Sequence, residues 1–201
     1  MSIKREIPEV NAGSMADIAF LLLIFFLVTT TIENDKGLNR TLPTDTEAST
    51  IRERNLFRVN LNSQNELLVE GEVIPISDLQ EKAIAFLDNG GVLEGEEHCD
   101  YCLGEHNDKS SDNPKKAIIS LSSARESNYG FYITVQNELV SAYTILRNRE
   151  SLKLYGISYK KLLEDYADVS LSNSDKLKTK SRIELIRALY PLKLSEAEIT
   201  N

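Results

Sequence analysis

Residues 13–32 read GSMADIAFLLLIFFLVTTTI, the one apolar run of membrane length in the chain. Its only charged residue is Asp17. As a helix these twenty residues would rise about 30 Å, the thickness of a bilayer's hydrocarbon core. A carboxylate inside such a helix costs ~2.5–3.5 kcal/mol, so its position argues for a functional role in carrying an ion, relaying a proton or pairing with a partner's polar group. We read Asp17 as a proton carrier. Gly13, Asp17, Phe20, Ile24, Val28 and Thr31 share one helical face. Ile18, Leu22, Phe25 and Phe26 make a more apolar side, suited to lipid or a protein ring.

The flanks set an expected orientation. Lys4 and Arg5 precede the run, while Glu33 and Asp35 follow it with Lys36, which places the N-terminus in the cytoplasm and the chain after about 32 outside. Asp17 interrupts any signal-peptide core, and the run ends without a small-x-small cleavage site, so an uncleaved anchor is expected. The 201 residues leave room for one modest folded domain beyond it. A net charge of −8 argues against nucleic acid, whose phosphates require a basic face. Cys99 and Cys102 are the only cysteines. One close pair cannot staple a domain, so the fold must rest on its own apolar core.

Residues 1–12 form a cytoplasmic arm, 13–32 the transmembrane helix, and 33–54, with Gly37 and Pro43, a flexible linker on the far side. A folded region follows. Phe57, Val59 and Leu61 alternate with polar neighbours as a half-buried strand does. Asn62-Ser63-Gln64-Asn65 turns into Leu67-Leu68-Val69, and Glu70-Gly71-Glu72 turns again before Val73-Ile74-Pro75-Ile76. Ser77-Asp78-Leu79-Gln80 has capping-box spacing, with Leu79, Ala83, Phe86 and Leu87 on the following helical face and Asn89-Gly90-Gly91 as its stop. Residues 91–115 read as an acidic inserted loop. Residues 117–121 make a strand, and 129–147 a helix with Tyr132, Val135, Leu139, Ala142, Tyr143 and Leu146 on one face. A short strand is expected at 152–155, helices at about 158–168 and 182–189, and a terminal strand at 192–194. The expected fold class is α+β: a small β-β-α-β-α domain over 55–156, outside the membrane, and a helical C-terminal extension over 157–201.

His98-Cys99-Asp100-Tyr101-Cys102 with His106 invites comparison with a zinc site, but a structural site requires four ligands at better spacing. Leu103 stands where a c-type haem motif requires His. The plainer alternatives are a local disulfide or free thiols. No Gly-rich phosphate loop, Ser/His/Asp order or paired-carboxylate site rises above background, so neither an enzyme nor a cofactor or metal is expected.

Asn11, Met15-Ala16-Asp17-Ile18, the run from Phe20 to Val28 and Leu42-Pro43 in the linker together resemble the ExbD/TolR family. The β-β-α-β-α order with Gly71 in a hairpin fits the same family, and the resemblance covers roughly residues 4–155. One departure is local: the family often has Thr-Pro shortly before the acid, where this chain has Gly13-Ser14, so only the Ser14 hydroxyl remains there. The resemblance implies a pair of such helices inside a ring of a polytopic partner, ExbB or TolQ. It also implies a homodimer whose motion passes through the linker to an energy transducer, TonB or TolA. In that setting Asp17 carries the chemistry, and Asn11, Ser14, Leu42 and Pro43 contact partners.

The expected function is therefore the proton-carrying subunit of an inner-membrane motor. It would use the proton motive force to energise TonB-dependent transport across the outer membrane. Three other readings stand beside it. One is a TolR-like subunit for outer-membrane integrity. Another is a passive anchored periplasmic binding domain, in which Asp17 only caps its helix. The last is a redox module built on Cys99 and Cys102.

Overall fold

The computed structural model describes residues 12–29 and 51–198, which belong to two separate units, residues 1–47 and 48–201. In the first unit, α1 (Ala12–Thr29) has 18 residues and a length of about 27 Å. Its large apolar side chains lie exposed on every side, Met15 at 61%, Leu23 at 63% and Phe25 at 60%. Among the described residues, no helix is long and apolar enough to cross a membrane. The expected continuation of α1 through Ile32 lies outside the described residues.

The second unit is built on a five-stranded sheet with β1 (Leu56–Leu61), β2 (Leu67–Val69), β3 (Glu72–Ile74), β4 (Ile118–Ser123) and β5 (Leu194–Glu198). The spatial order is β3-β2-β1-β4-β5. The first three strands form an antiparallel meander, as the closely spaced strand patterns lead one to expect. At its second turn Glu70 and Gly71 adopt φ of 50° and 87°, the left-handed pair of a two-residue hairpin. Strand β4 joins β1 in parallel with Leu56 beside Ile118, and β5 joins β4 in parallel with Leu194 beside Ile119.

Two helices close one face of this sheet. Helix α2 (Ile76–Leu87) buries Leu79, Ala83, Phe86 and Leu87, and α3 (Tyr129–Tyr155) buries Val135, Leu139, Ala142, Tyr143 and Leu146. They pack with Phe57, Val59, Leu61, Ile119 and Leu121 in one core. The alternate strand residues Leu56, Arg58, Asn60, Ile118 and Ser120 are half-buried on the opposite face. Helices α4 (Tyr159–Ala167) and α5 (Asn173–Leu189) form a smaller cluster from Tyr159, Leu162, Ile183 and Ile186.

Four expectations are corrected. The capping box at Ser77 does not form, because α2 begins two residues earlier, behind Pro75, and the Ser77 hydroxyl donates to Asp78 instead, at 2.8 Å. The strand expected at 152–155 is the last turn of α3, which runs for 27 residues until Gly156 takes φ 66°. Leu152 and Leu154 alternate like strand residues, yet both are about half exposed while Ser151 is buried and donates to the Ile157 carbonyl at 2.7 Å. Helix α5 starts at Asn173, not at 182, with Ser172 accepting from the Asp175 amide. The terminal strand is Leu194–Glu198, shifted from 192–194.

Candidate functional site

Asp17 is exposed on α1, one turn beyond Gly13 and one turn before Phe20 and Leu21. The free amides of a helix belong to its first four residues, here Ala12 to Met15, and no acid occupies that first turn. Asp17 therefore stands past the place where a carboxylate would cap the helix. It is the single ionisable residue among those described in this unit, set on a helix whose neighbouring side chains are apolar. Such a group can take up and give up one proton, and its charge decides whether the surrounding surface is compatible with an apolar partner. Of the expected partner-contacting residues, Asn11, Leu42 and Pro43 lie outside the described residues. Ser14 lies in the helix, but its side chain is not among those described.

The folded unit carries an open groove of about 680 Å³ between β1, β2, α2 and the segment 105–110. Phe57 and Phe86 stack at its floor with ring centroids 5.0 Å apart. Two of its cations are engaged: Arg58 lies 3.1 Å from Glu53 and 3.7 Å from Glu70, and Arg54 binds Asp112 and the Asp108 carbonyl, while Lys82 and Lys109 also line the rim. The groove thus offers an apolar floor with a rim of mixed charge and no nucleophile–base pair.

Residues 91–115 contain neither helix nor strand, as expected, and Ala117 also precedes β4, which starts at Ile118; the loop is packed firmly. Asn89 donates to the carbonyls of Asn107 and Ser111, both at 2.8 Å, and Asn55 exchanges hydrogen bonds of 2.7 and 2.8 Å with Asp112. Cys99 and Cys102 form a buried disulfide, which settles the choice among disulfide, thiols and metal ligands. His98 and His106 turn their Nδ1 atoms to the carbonyls of Val92 and Gly90, and no group of three metal-ligating side chains occurs among the described residues.

The disulfide loop is docked on an ionic network that no local pattern announces. Arg149 on α3 makes a two-pronged contact with Asp88 at the end of α2, at 2.5 and 2.9 Å. It also reaches Glu150 at 3.0 Å, and Tyr190 donates to Asp88 at 2.6 Å. Burial, then Glu150 and Asp88, push the Tyr101 hydroxyl up to about 12. Burial and its bond to Asp88 likewise raise Tyr190. These groups clamp α2, α3, the disulfide loop and the C-terminal segment together.

A family model described as biopolymer transport protein ExbD/TolR matches residues 3–149. That span includes Asn11, Ser14, Asp17, Leu42 and Pro43 and ends within α3. The chain is also 26% identical over 99 residues to the biopolymer transport protein exbD2 of Vibrio cholerae serotype O1, covering 47% of this chain and 73% of that protein.

Proposed function

The chain belongs to the ExbD/TolR family of biopolymer transport proteins, and from that premise we propose that it is the proton-carrying subunit of an inner-membrane motor. Asp17 is the carrier. The observation that supports this most is the placement of a single carboxylate past the capping turn of an otherwise apolar helix. Charged, Asp17 seeks polar groups of a surrounding ring; neutral, it passes that ring's apolar surface. One charge crossing about 100 mV releases ~2.3 kcal/mol, so a large displacement requires several protons.

In this reading α1 sits within an ExbB- or TolQ-like polytopic ring as one of a pair, with the N-terminus cytoplasmic. The folded unit is periplasmic, and the Cys99–Cys102 disulfide agrees with an oxidising compartment. Asn11, Ser14, Leu42 and Pro43 contact partners, and the motion passes to a TonB-like transducer that energises outer-membrane transport. The family description covers TolR as well, so a TolA-coupled role in envelope integrity is the second reading; the name of the Vibrio cholerae relative favours the first.

The test is Asp17→Asn, co-expressed with the polytopic partner, scored both for assembly and for energy-dependent uptake in cells. Asn keeps shape and polarity but gives up no proton. Assembly with loss of uptake is the expected result. Uptake at the unaltered level would make Asp17 structural and the chain a passive anchored domain.

A further inference from the structure

Helices α4 and α5 and strand β5 lie beyond the residues that the family model matches. Their charge differs from that of the rest. Helix α5 carries Lys176, Lys178, Lys180, Arg182 and Arg187 against only Asp175 and Glu184, in a chain whose net charge is −8. Ile183 and Ile186 turn inward and fix α5 on Tyr159 and Leu162 of α4. The outer corner where the two helices meet is both basic and apolar. There Val169 is 89% exposed, Leu177 69% and Tyr166 43%, too prominent to be remnants of the core.

Arg182 lies over the Tyr155 ring and Arg187 donates to the Tyr159 hydroxyl, but the α5 lysines of this corner are not held in close ion pairs. Lys176 and Lys178 have no ion-pair partner among the described residues, and Lys180 only approaches Glu184 at 3.8 Å. Of the nearby acids, Asp165 holds Lys161 at 2.9 Å, and Asp168 accepts from the amide and hydroxyl of Ser170 while also feeling the charges of Lys176 and Lys161. Between the helices lies a shallow notch of about 360 Å³ lined by Tyr166, Asn173, Lys176, Leu177 and Lys180.

From this arrangement we infer that the α4–α5 corner is a docking site for an anionic phospholipid surface. Protruding aliphatic side chains beside long lysines are the means by which soluble elements seat in a headgroup layer: the apolar tips enter, the ammonium groups meet phosphates, and a tyrosine lies between. The notch beside Leu177 is shallow and Val169 stands outside its lining, 89% exposed, a shape suited to entering a headgroup layer. The acidic remainder of the chain would be repelled by the same surface, so contact would have one orientation. The inference rests on the membrane anchoring of the proposed function but not on any role for Asp17. Anchoring would keep the site at high local lipid concentration, so weak contacts suffice.

The test uses the full chain reconstituted in phosphatidylcholine vesicles, with or without phosphatidylglycerol, read by amide hydrogen exchange. Flotation with the neutral vesicles scores anchoring separately. Exchange across 166–182 should slow roughly tenfold in the anionic vesicles alone, and the effect should fade with added salt. Lys176→Gln/Lys178→Gln/Lys180→Gln should abolish the slowing while β1 and β4 stay protected. Equal exchange in both lipids, or a triple variant protected like the parent, would overturn the site. So would inorganic phosphate alone reproducing the protection in neutral vesicles.

Discussion

Tyr101 ties three parts of the folded unit together through one side chain and its own carbonyl. Its hydroxyl donates to the Leu189 carbonyl at 2.8 Å, its ring meets Tyr190 edge-on at 5.5 Å, and its carbonyl accepts from Arg149 at 3.2 Å. Its hydroxyl is raised from 10.0 to about 12 in the fold, chiefly by burial. A raised value means that the folded state holds the proton more tightly. The contribution is complete below pH 10 and is lost as pH climbs through 12. Tyr101→Phe should therefore cost about 1 kcal/mol at pH 8, for the lost hydrogen bond. The gap to the parent should narrow between pH 10 and 12, as read by urea denaturation at each pH. Arg149 is the more costly position. Arg149→Met leaves Asp88 buried without its cation and should lower stability by about 3–5 kcal/mol; adding Asp88→Asn should recover part of the loss. A double variant no better than the single one would show that the pair is not coupled.

At the scale of elements, the disulfide closes a short loop between residues only 3 apart in sequence. Cys99→Ser/Cys102→Ser should lower stability by about 2 kcal/mol on the chain-entropy argument while leaving energy-dependent uptake intact. Lost uptake in a folded double variant would favour the redox module instead. Elements whose signal is local were legible in the sequence. The alternation of Phe57, Val59 and Leu61 gave β1, and the three- and four-residue spacing from Val135 to Leu146 gave the buried stripe of α3. What failed was punctuation. Leu152 and Leu154 mimic a strand because two half-exposed residues on a helix can alternate as well as two on a sheet. The charged stretch 173–182 hid the first half of α5, where no apolar side chain is buried and only Lys176 and Thr179 are as much as half-buried. The Asp88–Arg149 pair was not legible at all, since its members lie 61 residues apart and only the parallel return of β4 onto β1 brings their helices side by side.

On the scale of the whole molecule, the chain joins a helix without a polar face to a one-sided sheet with its own core. The functional reading comes from the first unit, where one carboxylate in an apolar run was legible from composition alone and its motif pointed to the family that the match over residues 3–149 establishes. The groove over Phe57 and Phe86 was not legible, because its walls come from segments that meet only after folding. The most direct test of the account is proton flux through the complex purified with its polytopic partner and sealed into liposomes under an imposed membrane potential. Flux is expected for the parent complex, in part for Asp17→Glu, and not above empty liposomes for Asp17→Asn. An Asp17→Asn complex conducting protons at the parent's rate would contradict it.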